Sequence, residues 1–191
     1  MRLFVALGIP SSVREHLAAF LSELRNLSSS LGDKRPRWIR PESLHVTLKF
    51  IGDTQSDNLK KITAALSEIR SKQSVDLKLS GLGFFPNDRR PRVFWAALIA
   101  SPNLAELASD IDRALVAVGI PGEIRAFVPH LTLARFEPPG LHQTLRSKIL
   151  QELHREFGSF QAREFQLMES KLKPSGAEYT SLASFPFTTE P

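Results

Sequence analysis

Strand-like and helix-like hydrophobic patterns alternate along the chain, and the same succession occurs twice. The apolar segment Arg2–Leu7 predicts a strand, and apolar side chains follow at helical spacing after a predicted N-cap at Ser11 or Ser12. In the second half, Arg92–Leu98 predicts the corresponding strand, and the segment Leu104–Leu115 again has helical spacing. The first strand and helix of one half therefore recur in the other.

The later elements of the two halves also correspond in order. A His-x-Thr strand comes next in both halves. A second helix is then predicted at about Asp57–Arg70 and Leu141–Phe157, and a further strand at Val75–Leu82 and Phe160–Met168. A short strand around Tyr179–Leu182 is expected after them. Each half thus has the order β-α-β-α-β.

The two His-x-Thr strands match residue by residue. His45-Val46-Thr47-Leu48 corresponds to His130-Leu131-Thr132-Leu133. We interpret the match as an internal repeat of about residues 1–84 and 90–170, within one two-lobed domain of residues 1–191. Two such lobes would set the two His-x-Thr strands facing each other across a cleft.

On each of these strands, the histidine and the threonine project from one face of the sheet. Strand alternation places His45 and Thr47 about 7 Å apart on the same face, and the repeat supplies a second pair at His130 and Thr132. One neutral imidazole can take a proton from water, a protonated one can give a proton to a leaving oxygen, and hydroxyls can donate to phosphate oxygens. The four side chains therefore point to metal-free hydrolysis of a phosphodiester. A single such motif is more typical of a structural histidine, and the second copy is what favours catalysis.

Composition narrows the alternatives. The sequence is 42% hydrophobic and 24% charged and has no cysteine, which is typical of a folded globular protein without a disulfide, zinc–thiolate or iron–sulfur site. Each histidine motif offers one nitrogen only, so we expect no metal and no cofactor. No apolar run approaches the roughly 20 residues of a membrane span, and the run at Leu3–Leu7 is too short for a signal peptide. We expect a cytoplasmic protein that does not contact a membrane.

Basic residues are concentrated in two clusters of the chain, whose net charge is +5. The clusters are Lys34–Arg40 and Arg89–Arg92, and each lies in or beside a segment with a tryptophan. The candidates for RNA contact are Arg35, Arg37, Trp38, Arg89 and Arg90, with Trp38, Phe84 or Phe85 as surfaces for base stacking. The alternative is a pair of charged loops whose aromatic side chains turn into the core.

Two further basic residues follow the histidine motifs. Strict alternation places Arg135 on the face opposite His130, so only a bulge or the end of the strand would bring it to the histidine. Lys49 would share the face of His45, where it would line the groove or be solvated.

These motifs resemble those of the two-histidine (2H) phosphoesterase superfamily, and more closely its RNA 2′,3′-cyclic phosphodiesterase branch, also called 2′-5′ RNA ligase. The resemblance covers nearly the whole chain. Its segments are Met1–Leu7, Trp38–Gly52, Gly81–Pro86, Arg90–Trp95, Pro129–Arg135, Glu169–Leu172 and Tyr179. One departure is Val128, where relatives often carry a polar or aromatic residue before Pro-His; it concerns the edge of the pocket and not the chemistry.

The resemblance implies an α+β fold of two pseudo-symmetric lobes, each a mainly antiparallel sheet backed by helices, with the active-site groove between them. It implies hydrolysis of RNA 2′,3′-cyclic phosphate ends to a 2′-phosphate, with 2′-5′ RNA ligation as the reverse reaction. In this assignment His45 is the general acid and His130 is the base that activates water. Thr47, Thr132 and Arg135 would bind the phosphate.

The expected partner is RNA with 2′,3′-cyclic phosphate ends, tRNA fragments included, bound by a monomer. Two alternatives stay open at this point: a phosphodiesterase for a small cyclic nucleotide, and a module that binds RNA ends without turnover. The two intact motifs argue against the binding module, because binding alone does not require an acid–base pair.

Overall fold

Among the residues that the structure describes, nine antiparallel strands form one sheet, and four α-helices pack against it. The computed structural model describes residues 1–33, 36–69, 74–137, 140–173 and 176–187. The strands are β1 (Arg2–Gly8), β2 (Pro36–Trp38), β3 (His45–Asp53), β4 (Val75–Phe85), β5 (Val93–Ala100), β6 (His130–Phe136), β7 (Glu156–Ala162), β8 (Glu164–Lys173) and β9 (Gly176–Pro186). The helices are α1 (Ser11–Ser30), α2 (Leu59–Ser67), α3 (Asn103–Ala117) and α4 (Gln143–Gln151), with 3₁₀ turns at Pro41–Ser43 and Ser56–Asn58.

The sheet consists of two halves that meet at one seam. Its strand order is β7-β4-β5-β6-β3-β1-β8-β9, and β2 also pairs with β6. The seam between β6 and β3 rests on one pair, Val46 opposite Leu131. We call β3, β1, β8 and β9 the first half-sheet, and β6, β5, β4, β7 and β2 the second. The predicted α+β fold of two mainly antiparallel lobes is confirmed, although the His-x-Thr strands are neighbours in one sheet and do not face each other across a cleft.

Each half-sheet contains strands from both halves of the sequence. Strand β4 belongs to the first half of the sequence but pairs with β5 and β7 of the second half. Strand β8 belongs to the second half of the sequence but pairs with β1 of the first half, and with β9. The third strand of each sequence half is therefore exchanged, so the boundary of the sequence repeat is not a boundary between the lobes.

Several predicted bounds are wrong. The helix predicted to reach Phe157 ends at Gln151, and Glu156 and Phe157 belong instead to β7, where Glu156 pairs with Ser80 of β4. The strand predicted at Phe160–Met168 is two strands, β7 and β8, separated at Arg163. Helix α2, predicted at about Asp57–Arg70, begins at Leu59 after a 3₁₀ turn and ends at Ser67. Arg70 lies outside the described residues. Neither predicted serine caps α1, since Pro10 occupies the N-cap position. The last strand runs over Gly176–Pro186 and is longer than predicted.

The helices cover one face of the sheet and leave the other open. Helices α1 and α4 lie on the second half-sheet, and α2 and α3 lie on the first. The predicted apolar faces are confirmed: Leu17, Phe20 and Leu24 of α1 are fully buried, as are Ile111 and Leu115 of α3. Both seam residues, Val46 and Leu131, point into this core and are fully buried. The side chains on either side of them therefore point to the open face.

Candidate active site

The seam brings both His-x-Thr motifs together on the open face. Because Val46 lies opposite Leu131 in antiparallel strands, the same register sets His45 opposite Thr132 and Thr47 opposite His130. All four side chains are half-buried, in contrast to the fully buried pair between them. Two imidazoles and two hydroxyls thus occupy one small area of the sheet, as the repeat in the sequence predicted.

Each histidine is held in the same way by the backbone two residues before it. The Nδ1 of His45 lies 2.7 Å from the carbonyl oxygen of Ser43, and the Nδ1 of His130 lies 2.8 Å from that of Val128. A carbonyl oxygen only accepts hydrogen bonds, so Nδ1 of both rings carries the proton. In the neutral rings, Nε2 is therefore the basic nitrogen and is left for proton transfer.

A bulge in each motif strand changes the alternation after the threonine. In β6, Thr132 pairs with Trp95 and Ala134 pairs with Phe94, which leaves Leu133 as the extra residue. In β3, Leu48 is the extra residue in the same way, because Thr47 pairs with Ala6 and Lys49 with Val5. Lys49 and Ala134 therefore turn inward, and Phe50 and Arg135 come to the open face. The bulge that Arg135 required is confirmed.

The two bulges place different chemistry at equivalent positions. Arg135 follows His130 by five residues and is exposed on the open face. Phe50 follows His45 by five residues and is 53% exposed although it is a large apolar side chain. Sequence reasoning missed Phe50, and the signal was its equivalence to Arg135 in the repeat. The open face is therefore cationic on one side of the seam and aromatic on the other.

Lys49 neither lines the groove nor is solvated, so both predictions for it are wrong. The bulge at Leu48 turns its side chain into the core, where it is only 4% exposed. Its ammonium group forms an ion pair with Asp112 of α3 and donates a hydrogen bond of 2.7 Å to the carbonyl oxygen of Pro121. Asp112 also accepts from the Glu123 backbone N–H at 3.0 Å. Lys49 thus joins β3 to α3 and to the loop that leads to His130.

Replacing Lys49 with methionine is expected to destabilise the protein by about 1.5–3 kcal/mol, since it removes a hydrogen bond between charged groups and leaves the partly buried Asp112 carboxylate without its cation. The Lys49 hydrogen bond lowers the pKa of Asp112 below its ordinary value of 3.8. The stabilisation that the Lys49–Asp112 pair gives the folded protein is present above the ordinary pKa of the carboxyl group. It is lost as pH falls through the lower pKa that Asp112 has in the folded protein. Urea unfolding followed by circular dichroism at pH 7 measures the loss. The matched control is Lys78→Met, which removes an exposed ion pair with Glu156 and should cost no more than about 1 kcal/mol. Equal losses in the two variants would contradict the role of Lys49.

The environment of His45 favours its neutral form. Burial lowers its pKa below the ordinary histidine value of 6.5, and the positive charge of Arg135 lowers it further. The hydrogen bond to the Ser43 carbonyl acts in the opposite direction and offsets only part of this effect. Arg135 is therefore electrostatically coupled to His45 across the seam.

Aromatic rings surround each histidine. The rings of Phe4 and Tyr179 lie 4.7 and 5.0 Å from the imidazole of His45, centroid to centroid. The rings of Phe85 and Trp95 lie 5.1 and 6.2 Å from the imidazole of His130. The two histidines thus have separate aromatic surroundings, one on each half-sheet.

The residues predicted to contact RNA divide into two groups. Arg37 pairs with Arg135 across β2 and β6, shares the open face and forms an ion pair with Glu137. Arg89 and Arg90 are exposed in the loop between β4 and β5, and their backbone N–H groups donate to the Asn87 side chain. Arg35 lies outside the described residues.

The three aromatic candidates differ in burial: Phe84 is buried, and Trp38 and Phe85 are half-buried. Trp38 pairs with Ala134, which the bulge turns inward, and its half-buried ring packs edge-on against Phe94, so its role as a base-stacking surface stays a prediction. Phe84 is buried against Phe94 as well. Of these candidates, only Phe85 lies beside a histidine motif.

Two structural absences concern the described part of the chain. Within these residues, no helix is long and apolar enough to cross a membrane. Over the same ranges, no three His, Cys, Asp or Glu side chains cluster in a way that could hold a metal ion.

Comparison with known proteins gives consistent matches. The sequence profile of the 2′-5′ RNA ligase superfamily matches residues 13–174. The chain is 34% identical over 179 residues to an RNA 2′,3′-cyclic phosphodiesterase of Methanocaldococcus jannaschii, a match that covers 94% of this chain and 96% of the relative. It is 30% identical over 186 residues to an RNA 2′,3′-cyclic phosphodiesterase of Methanothermobacter thermautotrophicus, which covers 97% and 98% of the two chains.

Solved structures are similar over the whole chain. A crystal structure of a Thermus thermophilus protein superposes with a TM-score of 0.80 and 30% identity and covers 100% of both chains. Escherichia coli LigT in complex with 3′-AMP has a similar fold, with a TM-score of 0.76, 24% identity and 98% coverage of both chains.

Proposed function

We propose that this chain, which belongs to the 2′-5′ RNA ligase superfamily, is a metal-independent phosphodiesterase. It hydrolyses 2′,3′-cyclic phosphate ends of RNA to a 2′-phosphate. The observation that carries the proposal is the seam pair Val46–Leu131, which sets two imidazoles and two hydroxyls on one open face. Both imidazoles carry the Nδ1 proton and leave Nε2 for the substrate. One such pair can supply both proton transfers of the reaction.

In the proposed reaction, water attacks phosphorus and the bond from phosphorus to the 3′ oxygen breaks. Following the resemblance, His130 takes the proton from water and His45 gives a proton to the 3′ oxygen, which leaves the phosphate on the 2′ oxygen. The Thr47 and Thr132 hydroxyls and the Arg135 guanidinium donate hydrogen bonds to the non-bridging oxygens, where charge develops. When the 5′-hydroxyl of a second RNA takes the place of water, the same displacement of the 3′ oxygen forms a 2′-5′ bond.

The lowered pKa of His45 fits this assignment once the substrate is bound. In the free protein, burial and, to a smaller extent, the nearby Arg135 charge oppose protonation of His45. The phosphate anion that binds between them offsets that charge, so it raises the pKa of His45 and favours the protonated acid. The substrate itself thereby brings the acid into the form that the reaction requires.

We propose RNA as the substrate because the surroundings of the site suit a polynucleotide. Phe50 presents an exposed ring beside the phosphate position, on which a nucleobase can stack. Arg37, Arg89 and Arg90 add exposed positive charge for the backbone phosphates. All these groups come from one chain, so we propose that the monomer is active, with tRNA fragments among the RNAs that it accepts.

The direct test is incubation of the purified protein, in the presence of EDTA, with an RNA that ends in a 2′,3′-cyclic phosphate. We expect release of the RNA 2′-phosphate, identified against 2′- and 3′-phosphate standards. Loss of turnover in EDTA that zinc or manganese restores would overturn the metal-free mechanism. Binding of the RNA without turnover would instead support a binding module.

The same assay with adenosine 2′,3′-cyclic phosphate separates RNA from a small cyclic nucleotide. The RNA affinity should fall with salt at a log–log slope of about −0.7 for each phosphate contact, and the mononucleotide should depend less on salt. The double substitution Arg89→Gln and Arg90→Gln should flatten the RNA slope. The matched control is Arg113→Gln, an exposed arginine on α3, which should leave it unchanged. Equal slopes for both substrates would favour the small nucleotide.

A further inference from the structure

The aromatic pair beside His130 has no part in the proposed hydrolysis. Two rows of residues cross β4, β5 and β6 on the open face: Gly83, Trp95 and Thr132, then Phe85, Val93 and Arg135. The rings of Phe85 and Trp95 stack at a centroid distance of 4.9 Å and an interplanar angle of 27°. Both residues are half-buried. They therefore form a partly exposed aromatic surface beside the second phosphate-binding threonine.

This surface depends on a glycine beneath it. A Cβ at Gly83 would lie 2.4 Å from Cζ2 of Trp95 and 2.7 and 2.8 Å from the two adjacent ring atoms. The two neighbouring atoms lie only 0.3 and 0.4 Å farther from the Cβ than Cζ2, so the Cβ would meet the face of the ring, and the indole lies flat on the sheet. Its Nε1 is buried and has no hydrogen-bond partner among the described residues, so packing holds the ring. The flat indole keeps the area beside His130 free of bulky side chains.

The two aromatic surfaces lie on opposite sides of the seam. On the first half-sheet, Phe50 and Tyr179 pack against the buried Phe4, and Tyr179 contacts His45. On the second, Phe85 and Trp95 contact His130. In an in-line displacement, the attacking and leaving oxygens are also on opposite sides of phosphorus. The nucleoside that carries the cyclic phosphate can use only one of the two surfaces. The other surface then lies where the attacking oxygen arrives.

We infer that Phe85 and Trp95 form a binding site for a second nucleoside, the one that presents its 5′-hydroxyl to the phosphate. The inference rests on the proposed function and extends it to the joining and cleavage of 2′-5′ linkages. In cleavage, the 3′-hydroxyl attacks phosphorus and gives its proton to His45. The bond from phosphorus to the 5′ oxygen breaks, and that oxygen takes a proton from His130. The products are a 2′,3′-cyclic phosphate and a nucleoside with a free 5′-hydroxyl.

The test compares cleavage of 2′-5′-linked diadenosine monophosphate with hydrolysis of adenosine 2′,3′-cyclic phosphate, both followed by liquid chromatography. Base stacking on an aromatic side chain contributes about 1–3 kcal/mol, so Phe85→Leu and Trp95→Leu should each lower the ratio of the two kcat/KM values by about 5- to 150-fold. The matched variant is Phe50→Leu, on the opposite surface, which should lower both kcat/KM values together and keep their ratio.

A second measurement requires no variant. Replacing the adenine of the 5′-hydroxyl nucleoside by hydrogen should slow cleavage by the wild-type protein by a similar factor. Suppose that the wild type hydrolyses the cyclic phosphate. If the ratio of the two kcat/KM values then stays constant in Phe85→Leu and Trp95→Leu, or if removal of the base has no effect on cleavage, the second site is overturned and the proposed function stands. If the wild type turns over neither substrate, the proposed function is overturned and this inference with it.

Discussion

Alanine at His45 or at His130 is expected to slow the proposed hydrolysis of cyclic-phosphate RNA by about 10²–10⁴-fold, because each substitution removes one of the two proposed proton transfers. The two imidazoles lie on adjacent strands around a single seam pair, and each is oriented by a backbone carbonyl oxygen. Alanine fits a strand position without disturbing the ladder, so the fold should persist. Single-turnover rates with a 3′-terminal cyclic phosphate measure the loss.

The double variant, with alanine at both His45 and His130, tests whether the two histidines act together. Since the acid and the base act in the same step, losing both should cost far less than the product of the two single losses. The matched control is His154→Ala, an exposed histidine in the turn after α4, which should retain full activity. Near wild-type turnover in either single variant would remove that histidine from the mechanism.

The site could be predicted from the sequence because its chemistry lies in a local pattern. Alternation on a strand is enough to place His45 beside Thr47, and the repeat supplies the second copy. The adjacency of the two copies depends on the pairing of β3 with β6, and strands that pair far apart in sequence leave no local signal. The exchange of β4 and β8 between half-sheets is missed for the same reason.

The wrong predictions for single residues also have one physical cause. Alternation predicts the face of a residue only while the ladder is regular, and a bulge depends on the partner strand. The extra residues Leu48 and Leu133 reverse the faces of everything after them. Lys49 therefore enters the core, and Trp38, opposite Ala134, packs half-buried against Phe94. The same reversal brings Arg135 to the open face, where it can act on His45.

That coupling predicts the pH dependence of the reaction. A reaction that needs one protonated and one neutral imidazole has a bell-shaped profile of kcat/KM, whose limbs report apparent pKa values of the pair in the free protein. Burial and the Arg135 charge lower the pKa of His45, so the acid limb should lie below the ordinary histidine value of 6.5. Initial rates with adenosine 2′,3′-cyclic phosphate, measured in buffers of constant ionic strength, define this limb.

Replacing Arg135 with glutamine should change the profile in two ways. Loss of a charged donor to the phosphate should lower kcat by about 10²–10³-fold at the optimum. Loss of the positive charge should also raise the pKa of His45, so the acid limb should move to higher pH. Arg37→Gln is the matched control for position. The Arg37 side chain lies beside Arg135, but its charge is paired with that of Glu137, so the acid limb of the profile should not move, whether or not KM changes. A lower kcat with an unmoved limb would make Arg135 a phosphate ligand only, and a limb that moves to lower pH would contradict its coupling to His45.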